Sequence, residues 1–297
     1  MRWPLVTGAN NFVFPNLLIF LESMHEFMPD EKIYVADFGL TDAQTRYLEA
    51  QGHLLPLPEK LREYDHAWYR KASLYDYLMP LGVDGFVWLD CDMILTEDFR
   101  PAMASIMEEM EATGTDISIC QDAGGMTFQS FYDFGKSHEA DIEPFKNLAA
   151  AMGCPMESAY LNSGVMILNG MELPMLWGAM TRKQHQWLLF EQCSLNLLVQ
   201  NGSRKMNMLD CREWNAHGPF LEDVMTESAP YASRIVHVTS SGKLHFNQEF
   251  KYDHLDKSIS GNLKLFVRED LRKILLDNFA RSFERNGEQM IETGLLV

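Results

Sequence analysis

Strand-like and helix-like segments alternate through the first half of the chain, and this alternation restricts the fold more than any other feature. Leu5-Val6-Thr7 is short and apolar and runs into the loop signal Gly8-Ala9-Asn10-Asn11, ahead of a helical pattern from about Phe14 to Met28. Lys32 to Ala36 reads as a second strand. Thr41-Asp42-Ala43-Gln44 has the form of a capping box and opens a helix that stops at Gly52. Strand, helix, strand, helix predicts an α/β fold with a mostly parallel sheet, because parallel neighbours need a crossover between them.

Trp68 to Met79 predicts a further helix, ended by Pro80 and Gly82, and the strand Phe86-Val87-Trp88-Leu89 follows. Asp90 and Asp92 then stand at that strand's carboxyl end, inside the run GFVWLDCDMIL. In open α/β sheets this edge is where ligands bind. Two ionised carboxylates in apolar surroundings cost several kcal/mol without compensation. If the strand continues through them, residues i and i+2 point to one side and both can grip one cation. Oxygen donors suit hard divalent ions, Mn²⁺ or Mg²⁺. The pair could instead be solvated capping residues, since a bare D-x-D is common.

Asp116 to Cys120 reads as a strand ending beside Asp122, and Val165 to Leu168 as another. Leu173 to Cys193 reads as largely helical, and Ile235-Val236-His237-Val238 as a late strand. Residues 124–153 are poorly determined by pattern, apart from a helix near Pro144 to Met152. Leu263 to Phe283 predicts a terminal helix that packs on the core or on a partner, leaving an oligomer through it open. The expected organisation is one domain over residues 1–260 with a C-terminal helical extension over 261–297.

Composition excludes several classes of function. With 46% hydrophobic residues the chain can build a sizeable core, and its formal net charge of −17 opposes nucleic acid and anionic lipid. A phosphate-bearing ligand therefore needs a metal or a few cations gathered at one point. The five cysteines, Cys91, Cys120, Cys154, Cys193 and Cys211, are widely spaced without a C-x-x-C pair, which argues against a disulfide framework or a zinc cluster. The first residues lack a secretory apolar segment, and no run approaches the roughly 20 apolar residues of a membrane span. A cytoplasmic protein is expected, with peripheral contact at the inner face of a membrane left open.

His237 can complete a mixed O/N metal site, and the loop Thr239-Ser240-Ser241-Gly242-Lys243 offers small residues and a cation to a phosphate. A buried structural histidine is the plainer alternative. Four segments together carry a resemblance: VTGANNFVFPNLLIFLES, VWLDCDMIL, YLNSGVMILN and RIVHVTSSGK. In this order, over roughly residues 5 to 243, the chain resembles the GT-A-fold nucleotide-sugar glycosyltransferases, nearest to glycosyltransferase family 8 and glycogenin-like proteins.

The resemblance implies a Rossmann-like GT-A sheet flanked by helices, and transfer of a hexose from a nucleoside diphosphate sugar, UDP-linked, to a carbohydrate or other hydroxyl acceptor, with retention. It implies that Asp90, Asp92 and His237 hold Mn²⁺ (or Mg²⁺) against the donor diphosphate and that Lys243 contacts it. Thr7, Gly8 and Asn11 fall in the loop that receives uridine. Lys71 takes the place of a basic residue that contacts the donor. Asn162 and Ser163 lie where the family lines the sugar pocket, Asp122 resembles a carboxylate that touches the hexose, and Gln192 matches a glutamine near the anomeric carbon. Glu191 and Asp122 are candidates for supporting roles.

Departures from the family pattern bear on the base and the sugar. Its D-Q-D reads Glu191-Gln192-Cys193, its loop glycine is Ser240, its K-P-W reads Lys243-Leu244-His245, and Ala9 stands where aspartate is often found. Lys71 could instead lie along a helix, Asn162 and Ser163 could serve a turn, and Gln192 could satisfy local backbone groups. A second grouping, His245, Asp253 and His254, fits no rigid ligand spacing and reads as surface or acceptor-region chemistry. Two other functions remain: a noncatalytic sugar-nucleotide-binding protein of the same fold, and a nucleotidyltransferase, which would need a basic Gly-rich first loop that Thr7 to Asn11 lacks. Residues 124–160 and the C-terminal extension are expected to shape the acceptor site.

Overall fold

The computed structural model describes residues 2–122, 124–217, 233–238, 244–246, 251–253, 258–260, 263–265 and 269–296. Lys243, with the rest of the polar loop 239–243, and His254 lie outside these residues.

The first half alternates as the sequence predicts: β1 (Leu5–Ala9), α1 (Phe14–Phe27), β2 (Ile33–Asp37), α2 (Asp42–Ala50) and β3 (Leu54–Leu55). The Thr41 capping box forms, with Thr41 accepting from the Gln44 amide and Gln44 reaching back to the Thr41 N–H. Next come α3 (Ala67–Ala72), α4 (Leu74–Leu78), β4 (Gly85–Leu89), β5 (Met93–Leu95), α5 (Arg100–Thr113) and β6 (Ile117–Gln121). The helix expected over 68–79 is thus broken at Ser73, whose backbone leaves the helical basin.

After α6 (Phe128–Ser137), α7 (Glu143–Ala151), β7 (Leu161–Asn169) and α8 (Glu172–Thr181), the chain runs through an extended connection to α9 (Phe190–Gln200). The helix expected over 173–193 is therefore two, separated where Leu189 takes a left-handed φ of 48°. β8 (Met206–Leu209), α10 (Cys211–Trp214), β9 (Ile235–His237) and α11 (Glu269–Glu292) complete the main elements. Two short antiparallel pairs join Leu244–Phe246 to Leu263–Leu265 and Lys251–Asp253 to Ser258–Ser260.

The central sheet has seven strands in the order β3-β2-β1-β4-β7-β6-β8. Four of its six pairings are parallel, and β7 runs antiparallel to both neighbours. Its strands are apolar on both faces, as a sheet covered on both sides requires. Val87 and Leu89 of β4 enter the core with α1 and α5, while Phe86 and Trp88 face α4 and α8. Leu271, Leu275, Phe279, Phe283 and Met290 of α11 join the first of these cores, so its apolar stripe is used within the chain. A third cluster, built on Phe128, Phe131, Phe145, Tyr160 and Phe190, holds α6 and α7 against α9. No helix among the described residues is long and apolar enough to cross a membrane.

β5 and β9 pair outside the main sheet, with Met93 opposite His237. The chain therefore leaves β4 through a turn at Asp90-Cys91-Asp92 before entering β5. β4 ends at Leu89 with the two aspartates beyond its carboxyl end, as the sequence predicts, and it does not continue through them, because the backbone must pass from one sheet to the other. Phe279→Ala is expected to cost about 3–5 kcal/mol in urea unfolding, since α11 fills the core beside α1; a loss under about 1 kcal/mol would mean that α11 stands apart from it.

Candidate functional site

The β5–β9 pairing sets His237 beside the aspartates: Val238 N donates to Asp92 O at 2.8 Å. His237 Nε2 lies 3.2 Å from Asp92 Oδ1 and 3.8 Å from Asp90 Oδ2. One ligand atom from each of the three residues lies within 4.8 Å of the other two. Asp90 Oδ1 is engaged by Lys71 Nζ and by the Trp88 indole N–H, each at 2.8 Å, which turns Oδ2 toward the histidine.

A chain of amides determines which imidazole nitrogen faces the acids. The Asp122 carboxylate can only accept, so Asn162 presents its amino group to Asp122 Oδ2 at 3.2 Å and its carbonyl Oδ1 elsewhere. That Oδ1 accepts from Asn215 Nδ2 at 2.9 Å, which leaves Asn215 Oδ1 facing His237 Nδ1 at 2.8 Å. Nδ1 therefore carries a proton, and Nε2 is the nitrogen that faces Asp92. Two carboxylates and an imidazole nitrogen gathered within 4.8 Å of one another are held together by a positive charge shared among them. Two carboxylates and one imidazole fit Mn²⁺ or Mg²⁺ as that charge, and an imidazole oriented through its second nitrogen is the usual arrangement at metal sites.

Gly164 leaves no room beside this ring. A Cβ there would lie 2.7 Å from His237 Cε1 and 2.8 Å from Asn162 Oδ1. The position follows from an irregularity in β7: pairing with β6 shifts register between Ile119 and Cys120, whose partners are Met166 and Asn162. Asn162, Ser163 and Gly164 belong to β7 and not to a turn; Asn162 pairs with Cys120, and Ser163 to Val165 are the residues skipped in that ladder.

Around this point lies a cavity of about 440 Å³, lined by Lys71, Asp90, Asp92, Asp122, Asn162, Ser163, Gln192 and His237. With Glu191, which also lines it, nine of the residues singled out in the sequence are thus gathered in one place. A second cavity, of about 350 Å³, is lined by Gly8, Asn10, Phe38, His66 and Trp88. Trp68, Lys71, Asp90 and Asp92 line both, and form a saddle between them. Thr7 and Asn11 line neither: Thr7 is wholly buried in β1, and Asn11 holds the Gln44 side chain at 2.9 Å. Asn10, which accepts from Phe12 N and Val13 N, stands at the second cavity instead.

Lys71 Nζ lies 2.8 Å from Asp90 and 3.4 Å from Glu191, and donates to Ser163 Oγ at 3.1 Å. Burial would lower its pKa, but Asp90 and Glu191 outweigh it and the ammonium is held above its ordinary value. Burial also pushes the Glu191 carboxyl up, against the pull of Lys71. Gln192 is pinned at both ends: its Oε1 accepts from Ser163 N at 3.0 Å, and its Nε2 donates to Asp122 Oδ2 at 3.1 Å.

Two residues here escaped the sequence reading, Asn215 and His217. His217 places Nδ1 2.8 Å from the Asn215 carbonyl and Nε2 3.1 Å from Asp122 Oδ1. Both partners are acceptors, so the ring is an imidazolium. Burial opposes that charge, yet the bond to Asp122 and the Asp122 charge prevail and raise the pKa to about 10. Asn215 and His217 follow the short helix α10, two polar residues on either side of Ala216 that could have drawn attention.

No family model and no curated protein sequence matches the chain. Its structure is similar to three solved glycosyltransferase structures. One is the bifunctional WbbM in its apo form (9% identity, TM-score 0.54, covering 82% of this chain and 46% of that one). Another is the galactosyltransferase LgtC with donor and acceptor sugar analogues (14%, 0.56, 92% and 95%). The third is apo GlyE of Streptococcus pneumoniae (15%, 0.56, 97% and 64%). The chain spans less than half of WbbM and under two thirds of GlyE. At these identities the likeness establishes the fold, which is the GT-A α/β fold.

The orientation of His237 has a measurable consequence. Asn215→Leu removes the acceptor for Nδ1–H and is expected to weaken Mn²⁺ binding, followed by calorimetry, by about 10–100-fold. Unchanged affinity would mean that the amide chain does not orient the ring.

Proposed function

We propose that this protein is a divalent-cation-dependent glycosyltransferase that moves a hexose from a nucleoside diphosphate sugar, UDP-linked, to an acceptor hydroxyl with retention of configuration. The observation that carries this reading is the saddle: two cavities meet where Asp90, Asp92 and Lys71 stand, beside His237. A nucleoside in the smaller cavity and a sugar in the larger one would put the diphosphate between them, at the gathered charges. The GT-A fold of the chain supports the assignment by analogy.

Asp90, Asp92 and His237 would hold Mn²⁺ or Mg²⁺, which supplies Lewis-acid stabilisation of the charge that grows on the leaving diphosphate. Lys71, anchored by Asp90 and Glu191, adds a fixed positive charge at the same place. Transfer forms a bond from the acceptor oxygen to the anomeric carbon and breaks that carbon's bond to the diphosphate oxygen. The bonding pair leaves with the nucleoside diphosphate, which takes up the acceptor's proton. Gln192, fixed between Ser163 and Asp122, presents an oriented amide beside the sugar and acts by position and dipole, being too weakly basic for a strong nucleophile. Asp122, with His217 and Asn162, is placed to meet the hexose hydroxyls.

Cys193 stands where the family carries a second acid. It is wholly buried, with its sulfur 3.2 Å from the Tyr160 hydroxyl, and offers nothing to the sugar. The five cysteines are buried free thiols and fit a reducing cytoplasmic setting. The test is a donor panel: with Mn²⁺ and individual nucleotide sugars, at least one donor is expected to release nucleoside diphosphate. Metal-dependent donor binding without release from any donor would favour a noncatalytic sugar-nucleotide-binding protein. Asp92→Asn is expected to weaken donor binding by about tenfold or more in Mn²⁺ and little in its absence; equal effects in both conditions would remove the metal role.

A further inference from the structure

The larger cavity changes character along its length. Its inner end carries Asp122, Asn162, Gln192 and His217, whereas Trp68, Met126, Phe131, Phe134 and Leu189 line the rest of its wall. These five are uncharged, and among the described residues the only lysine or arginine lining the cavity is Lys71, already bound to Asp90 and Glu191 at the saddle. His217 is likewise bound to Asp122.

Two features of this apolar wall are not explained by core packing. On α6, Phe128 and Phe131 are buried, and Phe131 stacks on Tyr160 with ring centroids 4.0 Å apart and planes 9° from parallel. Phe134, on the next turn, is 46% exposed, with His138 against its ring at 4.3 Å. Folding gains little from leaving so large an apolar side chain in water, where a ligand face can cover it. Leu189, also on this wall, holds φ 48° and ψ 40°, a basin that a branched side chain enters at a cost of about 1–3 kcal/mol. Such strain persists where its surroundings impose it, and it gathers at ligand clamps. Here the imposing contacts are Leu188 N to Asp141 O at 3.3 Å and Cys193 N to Leu189 O at 2.8 Å.

We infer that this wall is the acceptor subsite, and that it takes a neutral glycoside whose apolar sugar face or aglycone packs on Trp68 and Phe134. The inference rests on the transferase reading above and names its substrate class. An aromatic face offers apolar area and a negative quadrupole to the C–H edge of a sugar ring. An acceptor bearing phosphate would meet Asp122 and Glu191 without an unpaired cation on the wall among the described residues, within a chain whose net charge is −17. The wall continues directly into the pocket of Gln192, so an acceptor hydroxyl can reach the anomeric carbon from it.

The experiment uses the full chain with Mn²⁺ and the donor that the panel selects. Transfer to p-nitrophenyl and octyl glucosides and galactosides is compared with transfer to methyl glycosides and to glucose and galactose 1-phosphates. The aryl and alkyl glycosides are expected to have the highest kcat/KM, and the phosphates the lowest. Phe134→Ala is expected to raise the acceptor KM about tenfold, with kcat within about threefold and with Phe134→Trp restoring KM. Phosphates used as well as the neutral glycosides, or an acceptor KM within about twofold of wild type in Phe134→Ala, would overturn the inference. Donor turnover to water that no neutral glycoside accelerates would overturn the subsite alone. Absence of turnover with every donor would overturn the reading on which it rests.

Discussion

Everything in this site depends on negative charge being brought to one point and needing a partner there. Asp90, Asp92, Glu191 and Asp122 stand around a cavity that offers Lys71 and the His217 imidazolium in return. Carboxylates in such surroundings are stable only when paired, hydrogen-bonded or bound to a cation. Lys71 answers Asp90 and Glu191, and His217 answers Asp122. Asp92 faces His237 Nε2 at 3.2 Å, and a divalent cation held by Asp90, Asp92 and His237 fits that arrangement. The fold supplies it through two backbone decisions, the turn that carries the chain out of β4 and the pairing of β5 with β9.

The amide chain from Asp122 through Asn162 and Asn215 to His237 links the sugar end of the cavity to the metal end. Each amide has one donor side and one acceptor side, so a carboxylate at one end dictates the tautomer at the other. Groups that would touch the hexose thus belong to the same network that aims the metal ligand. His217 Nε2 meets Asp122 Oδ1 at 3.1 Å at the head of this chain. Such a network does its work without moving, which is the kind of preorganisation that electrostatic catalysis requires.

Much of the fold was legible because local chemistry and tertiary demand agree. A sheet apolar on both faces produces the runs at Leu5, Ile33, Phe86 and Val165, and Thr41 with Gln44 marks a helix start wherever it occurs. The breaks were not legible: Ser73 and Leu189 interrupt helices for reasons of packing and site geometry that no propensity carries. The carboxylate pair could be read as a site, but its geometry could not. Alternation along a strand suggested convergence, whereas a turn and a partner strand some 140 residues later produce it. Asn215 and His217 stayed hidden because their value lies in which atoms they face. A turn is one reading of Asn162 and Ser163, and they are strand residues of β7 beside a register shift. The placement of Lys243 falls outside the described residues.

The likeness to solved glycosyltransferases establishes a scaffold, and a scaffold hosts many chemistries. The proposed transfer depends instead on the saddle and on a cation bound there. Its most direct test is anomalous X-ray scattering at the manganese edge, from crystals of the full chain grown with Mn²⁺ and UDP. The account predicts one strong peak within coordination distance of Asp90, Asp92 and His237 Nε2, with diphosphate oxygens completing the shell and the uridine in the cavity lined by Gly8 and Phe38. No peak at that point, or one that leaves His237 uncoordinated, would contradict it.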